Sequence, residues 1–312
     1  MQFFQRIAWL YWDPSRKALT IPYFNHPVAW YGILFVTGFI FGYFVFQPLL
    51  RRFLQQHQYP KKDQLTTLFS TRNQMAYFLS DRLCWFVVAG TVIGARLGDV
   101  LFYTGPYWDN PLEIFKIWNG GLASHGGVIG VLIALYFYLK YAQRIIPELT
   151  YLRLLDLMAI PSALVACFIR LGNFVNQEIL GKVTTLPWAV VFGHAADGTL
   201  PSPRHPVQLY EAIAYLMTFI ILFLLWKKQK PSDYSGKLIG WMFIFIFSSR
   251  LVLEFLKTKQ ESFLNIGDFQ AGQVLSLPFI ILGIYLVLQA KFKTPSLKST
   301  FIQSCVKQGI NN

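Results

Sequence analysis

Ile169-Arg170-Leu171-Gly172-Asn173-Phe174-Val175-Asn176-Gln177-Glu178-Ile179-Leu180-Gly181 closes an apolar stretch long enough to span a bilayer, yet it gathers Arg170, Asn173, Asn176, Gln177 and Glu178 into its last residues. A charge at membrane depth is costly and marks a functional site unless it is paired with another group. Working outward, the chain is 312 residues long, 54% hydrophobic, 17% aromatic and only 14% charged, which is too apolar for an ordinary soluble domain. The composition predicts an all-α, polytopic integral membrane protein.

A hydrocarbon core of about 30 Å needs about 20 apolar residues per helix. That ruler predicts about seven transmembrane helices, over 28–50, 83–104, 122–139, 154–175, 208–226, 238–256 and 272–290. Residues 51–82 read as a polar loop with room for a short surface helix. Residues 176–207, with four prolines, read as a small extracytoplasmic head whose 183–192 portion suits short strands. The expected organisation is one membrane domain over 1–290 followed by a cytoplasmic tail, 291–312. The first 27 residues show no cleavable signal pattern.

Orientation follows from basic residues. Lys and Arg number 17 in one alternate set of loops and 8 in the other, which places the N-terminus outside and the C-terminus inside. The net charge of +13 is thus explained by loops, and nucleic-acid binding is not expected. The three remaining arginines, Arg96, Arg170 and Arg250, fall within spans. With this topology Tyr31, His125, Arg170, Asn173, Gln208, Glu211, Arg250 and Glu254 all lie toward the outer leaflet. Arginines sharing an interior with amide donors suit a phosphate oxyanion, and hence a phospholipid headgroup.

Competing structural readings stand beside these. Arg250 with Glu254 (i, i+4) and Arg96 with Asp99 (i, i+3) have the spacing of internal ion pairs. His125 precedes Gly126 and Gly130, whose spacing suits close helix packing, while its imidazole suits proton acceptance near neutral pH. Tyr31 beside Trp30 suits an interfacial anchor as well as a site residue, and Gly181 suits a turn. The five histidines show no metal-ligand spacing, no nucleotide loop is present, and no cofactor is expected. Cys84, Cys167 and Cys305 suggest no disulfide framework.

The run Arg170–Gly181 resembles the signature of the bacterial phosphatidylglycerol:prolipoprotein diacylglyceryl transferase family. His125-Gly126-Gly127-Val128-Ile129-Gly130, Arg204-His205-Pro206-Val207-Gln208-Leu209-Tyr210-Glu211, Gly94-Ala95-Arg96-Leu97-Gly98 and Arg250-Leu251-Val252-Leu253-Glu254 are similar to further blocks of that family. The resemblance runs from Trp30 to about Pro278. It departs at Ile169, Lys182 and Ile246, where the family usually has glycine, arginine and tyrosine, so any role resting on that tyrosine does not carry over.

The resemblance implies transfer of an sn-1,2-diacylglyceryl group from phosphatidylglycerol to the lipobox cysteine in a prolipoprotein signal peptide. It also implies membrane lipids as surroundings, an inner-membrane location and an active site facing the outer leaflet. Arg170 and Arg250 would hold the phosphate and His125 would accept or orient the thiol proton. Asn173 and Glu178 would bond the headgroup, Glu211 and Glu254 would position the arginines, and Tyr31 and Gly181 would complete the substrate site. A phospholipid transporter or scramblase, or a membrane scaffold, are the rival readings from other classes.

Overall fold

Among the described residues seven helices are long and apolar enough to cross a membrane, and they carry the architecture. In the computed structural model, residues 9–21, 26–59, 71–102, 107, 110–116, 120–228, 235–259 and 269–292 are described. The helices are α1 (Trp30–Gln56), α2 (Arg72–Phe102), α3 (Ser124–Ala142), α4 (Tyr151–Val175), α5 (Val207–Lys228), α6 (Lys237–Leu253) and α7 (Ala271–Phe292). Each expected span is present. Many large apolar side chains on them, such as Ile93 and Leu101 on α2 or Ile281 and Tyr285 on α7, are exposed, as a lipid-facing surface requires.

The polar stretch expected over 51–82 is mostly helix. α1 continues to Gln56 and α2 starts at Arg72, so the connection shrinks to 57–71, of which 60–70 lie outside the described residues. The reason is an apolar stripe: Met75, Ala76, Leu79 and Leu83 recur at helical spacing and are all buried. The tail expected at 291–312 contributes the last two residues of α7, and 293–312 lie outside the described residues, with Cys305 among them.

The chain forms two compact units, one of residues 1–45 and 158–312, the other of 46–157. In the second unit, α2 and α3 cross glycine to glycine. A methyl on Gly98 would fall 2.7 Å from Gly126 Cα, and one on Gly126 the same distance from Gly98 Cα. The small-residue spacing in the sequence is therefore helix packing, and backbones in van der Waals contact supply its attraction. Leu49, Leu54, Met75, Leu79, Tyr138 and Leu154 fill the core of this unit.

The first unit carries the non-helical head. Strands β1 (Leu10–Trp12), β4 (Val190–Phe192) and β5 (Pro203–Arg204) form a sheet in the order β1-β4-β5, with β1 parallel to β4 and β4 antiparallel to β5. Strands β2 (Lys17–Ile21) and β3 (His26–Ala29) form a separate antiparallel pair leading into α1. The head is therefore built from the N-terminal residues as well as from 176–207, which corrects the expectation of a single connection. Three-residue strands have no legible period. Trp12 explains the recruitment: it stacks on Phe174 at 4.7 Å and its indole N–H donates to the Phe174 carbonyl at 3.2 Å. Phe174, Leu180, Val190 and Phe192 form the buried cluster beneath.

Candidate active site

Three helices of the first unit meet on one phenol. Cys167 of α4, Ala212 and Tyr215 of α5, and Ile246 of α6 pack together, which sets the last turns of α4 and α6 beside the first turns of α5. Arg170 stands one turn after Cys167, Glu211 one turn before Tyr215, and Arg250 one turn after Ile246. The Arg170 guanidinium lies 5.9 Å from the Tyr215 ring centroid.

Arg170 is buried. Its Nε lies 3.0 Å from Glu211 Oε2 and its Nη1 donates to Asn173 Oδ1 at 3.1 Å. That gives two partners for five N–H donors, so three donors remain uncommitted among the described residues. Glu211 is fully buried, and its other oxygen lies 3.0 Å from Lys257 Nζ. Lys257 in turn lies 2.8 Å from Glu254 Oε2. Glu254 has space because α7 presents glycine: a methyl on Gly272 would fall 2.5 Å from its Cδ. A buried chain of alternating charge, Arg170–Glu211–Lys257–Glu254, results.

This placement revises one expected pair. Glu254 is bonded to Lys257, and among the described residues no carboxylate lies within ion-pair distance of Arg250. The i, i+4 spacing of Arg250 and Glu254 suggested mutual neutralisation, but Glu254 stands in the 3-10 turn Glu254–Leu256 that follows α6, where Lys257 is three residues away.

The turn after α4 explains how Glu178 is aimed. The Gln177 N–H bonds the Phe174 carbonyl and the Glu178 N–H bonds the Asn173 carbonyl, the paired bonds of a Schellman ending. The left-handed position that normally takes glycine is Gln177, at φ 57°, and Ile179 follows at φ 55°. A non-glycine residue there costs about 1–2 kcal/mol, and a β-branched one is a true outlier. Gln177 is retained by its side chain, which donates to Asp13 Oδ1 at 3.0 Å and accepts the His194 N–H at 2.8 Å. The head thus clamps the strained turn. Both Glu178 carboxylate oxygens are held, Oε2 by Asn173 Nδ2 at 3.0 Å and Oε1 by Asn176 Nδ2 at 3.1 Å.

Tyr31 of α1 lies against Gly172, where a methyl would fall 2.8 Å from its Cδ2. Gly181 is pressed against His205, bridges to Lys257 and accepts from Arg204 Nη1 at 3.2 Å. Of the nine residues singled out in the sequence, eight (Tyr31, Arg170, Asn173, Glu178, Gly181, Glu211, Arg250 and Glu254) are thus gathered in the first unit. In this arrangement the Arg170 guanidinium stands beside the buried Glu211 carboxylate and the Asn173 amide.

A family model described as prolipoprotein diacylglyceryl transferase matches residues 17–289. The chain belongs to the prolipoprotein diacylglyceryl transferase family. Curated relatives agree. A protein of Protochlamydia amoebophila (strain UWE25) is 45% identical over 90% of this chain and 95% of its own length. One of Tolumonas auensis is 42% identical over 84% and 90%. One of Porphyromonas gingivalis is 37% identical over 91% and 95%. All three bear the name Phosphatidylglycerol--prolipoprotein diacylglyceryl transferase.

Within this diacylglyceryl transferase chain, the ninth residue, His125, belongs to the second unit. It stands in the first turn of α3, exposed, with no hydrogen bond to a described residue. Lys257 was missed by sequence reasoning because it falls one residue past the expected end of the sixth span and was counted among loop cations. The i, i+3 spacing from Glu254 was its only local signal. Tyr215 and Gly272 gave none, since a tyrosine and a glycine in apolar helices are ordinary. Ile246, where the family usually has tyrosine, is packed in the cluster with Tyr215.

Proposed function

We propose that this membrane transferase moves the sn-1,2-diacylglyceryl group of phosphatidylglycerol onto the lipobox cysteine thiol of a prolipoprotein. The sulfur forms a bond to the glycerol methylene, the bond from that carbon to the phosphate oxygen breaks, the thiol proton is lost and sn-glycerol 1-phosphate leaves. The observation that carries this reading is the buried Arg170 guanidinium, held by Glu211 Oε2 at 3.0 Å and Asn173 Oδ1 at 3.1 Å with N–H donors left over among the described residues, while Arg250 stands one turn beyond Ile246 of the cluster packed around Tyr215. Family membership favours transfer over lipid transport.

The leaving group determines what the site must do. Charge accumulates on the departing phosphate, and preorganised cations away from water stabilise it most. Arg170 offers three uncommitted donors and Arg250 a charge with no carboxylate partner among the described residues, while Glu211 and Asn173 fix the Arg170 fork. Asn173 and Glu178 orient the headgroup, Tyr31 and Gly181 shape its surroundings, and Glu254 acts through Lys257. A free thiol has a pKa of about 8.5, so a proton acceptor assists attack near neutral pH, and His125 takes that role in this proposal. The basic-residue bias supports a bacterial inner-membrane orientation with the N-terminus and the strand-bearing head outside, the C-terminus inside, and the site in the outer leaflet.

Purified protein incubated with phosphatidylglycerol vesicles and a lipobox peptide is expected to add one diacylglyceryl mass to the peptide and to release glycerol phosphate in equal amount. Lipid movement between leaflets with no peptide adduct would overturn the proposal. A pH–rate profile of His125→Gln tests the proton acceptor: loss of the rising limb supports it and an unchanged limb refutes it.

A further inference from the structure

Two buried amide oxygens beside Glu178 have no hydrogen-bond partner among the described residues, Asn176 Oδ1 and Gln208 Oε1. Which end of each amide is the oxygen follows from the other end. Gln208 Nε2 donates to the Glu178 carbonyl at 2.6 Å, and Asn176 Nδ2 donates to Glu178 Oε1 at 3.1 Å, contacts only an NH₂ group makes. Gln208 is fully buried. Glu211 Oε2 also lacks a well-aligned bond, but it is ion-paired at 3.0 Å with Arg170 and so is accounted for. The two amide oxygens are not. Buried acceptors without a donor are rare in folded proteins and call for an explanation.

These acceptors are tied to the phosphate-binding cluster. Asn173 bridges Arg170 and Glu178, and Gln208 and Asn176 hold Glu178 at its carbonyl and its carboxylate. A ligand whose phosphate engages Arg170 therefore carries whatever lies two or three bonds beyond that phosphate toward neutral and anionic acceptors. In phosphatidylglycerol that position holds a glycerol with two hydroxyls, each an O–H donor. We infer that Gln208 and Asn176 select the polyol headgroup by accepting its hydroxyl hydrogens. This inference rests on the transferase reading of the same site and adds which residues read the headgroup.

A site built to bond a hydroxyl rejects the analogue that lacks it far more strongly than an apolar pocket rejects an extra one, because its own acceptors are left bare. The test is a headgroup series with identical acyl chains: phosphatidylglycerol with two hydroxyls, the ethylene glycol ester with one, and the propanol ester with none. Each is presented to the full-length protein with the same lipobox peptide. The wild type is expected to lose about 5- to 150-fold in kcat/KM for each hydroxyl removed. In Gln208→Met and in Asn176→Ala the ratio between phosphatidylglycerol and the propanol ester is expected to fall toward one, whatever the loss in absolute rate. Asn176 is partly exposed, which makes its variant the safer folder. A purely structural role for either amide lowers both lipids together and leaves the ratio unmoved, which overturns the inference. So does a wild type that accepts the propanol ester as readily as phosphatidylglycerol, or a variant that changes only the KM for peptide. Failure of the wild type to transfer from phosphatidylglycerol at all refutes instead the transferase reading beneath it.

Discussion

Arg96 and Arg170 are buried to nearly the same extent, 5% and 9% exposed, and they solve the problem of a buried cation in opposite ways. In the second unit, Arg96 donates to the Ile114 carbonyl at 2.9 Å, to Gly120 at 2.7 Å, to Gly121 at 2.9 Å, to Lys116 at 3.4 Å, to the Glu113 carbonyl and to the Tyr107 hydroxyl at 3.0 Å. Six oxygens occupy five donors. Asp99 lies 3.9 Å away and accepts from Tyr107. In the first unit, Arg170 has one carboxylate oxygen and one amide oxygen, beside the Tyr215 ring. The difference teaches that burial of an arginine does not identify a site. What does so is the number of its donors left over once the protein has been satisfied.

The sharpest way to break this comparison is to truncate both. Arg170→Ala is expected to lower transfer by at least about 10²- to 10³-fold, the scale on which one preorganised donor acts on a developing charge, with the protein still inserted and monodisperse. Arg96→Ala is expected to act on the fold instead, leaving several loop carbonyls unpaired and lowering thermal stability in detergent, with a far smaller change in the specific activity of the folded fraction. The comparison fails if the two effects are interchanged.

Lys257 separates neutralisation from packing. Lys257→Met leaves Glu211 and Glu254 buried with one fewer cation, and breaking such a network costs about 3–5 kcal/mol. Both melting temperature and transfer are expected to drop. Lys257→Arg should restore most of each, whereas a side chain needed only for bulk would be rescued equally by Met.

The smallest expected effect concerns the clamp on Gln177. The Asp13 carboxyl is held below the ordinary carboxylate range, first by the His194 hydrogen bond and then by that from Gln177. Because the folded-state value is depressed, its contribution is present above the unfolded pKa of about 3.9 and is lost as pH falls through the lower folded value. Fluorescence of Trp12, which sits on the same turn, should therefore change below about pH 4, and Asp13→Asn should remove that transition.

Much of this was legible in the chain because a bilayer imposes its own ruler. Seven apolar runs gave seven helices among the described residues, and Arg170, Asn173, Glu178 and Glu211, singled out from the sequence, are linked by hydrogen bonds and an ion pair. The illegible parts share a physical cause: they depend on long-range pairing of segments too short or too ordinary to carry a pattern. β1 has three residues and finds β4 about 180 positions away. Lys257 owes its role to a glutamate 46 residues earlier. The first three turns of α2 looked like loop because charge masked a stripe that only burial reveals. The signature segment was the reverse case, since its glutamine at a glycine position made sense only once Asp13 and His194 stood beside it.

The central claim is that Arg170 and Arg250 act on one phosphate, and a double-mutant cycle on lipid binding tests it directly. Affinity for phosphatidylglycerol would be measured for the wild type, Arg170→Ala, Arg250→Ala and the double variant. If the guanidinium groups share an anion, the double variant loses less than the sum of the single losses, a coupling of about 0.5–3 kcal/mol. Strict additivity, or a single variant that binds the lipid like the wild type, would contradict the account.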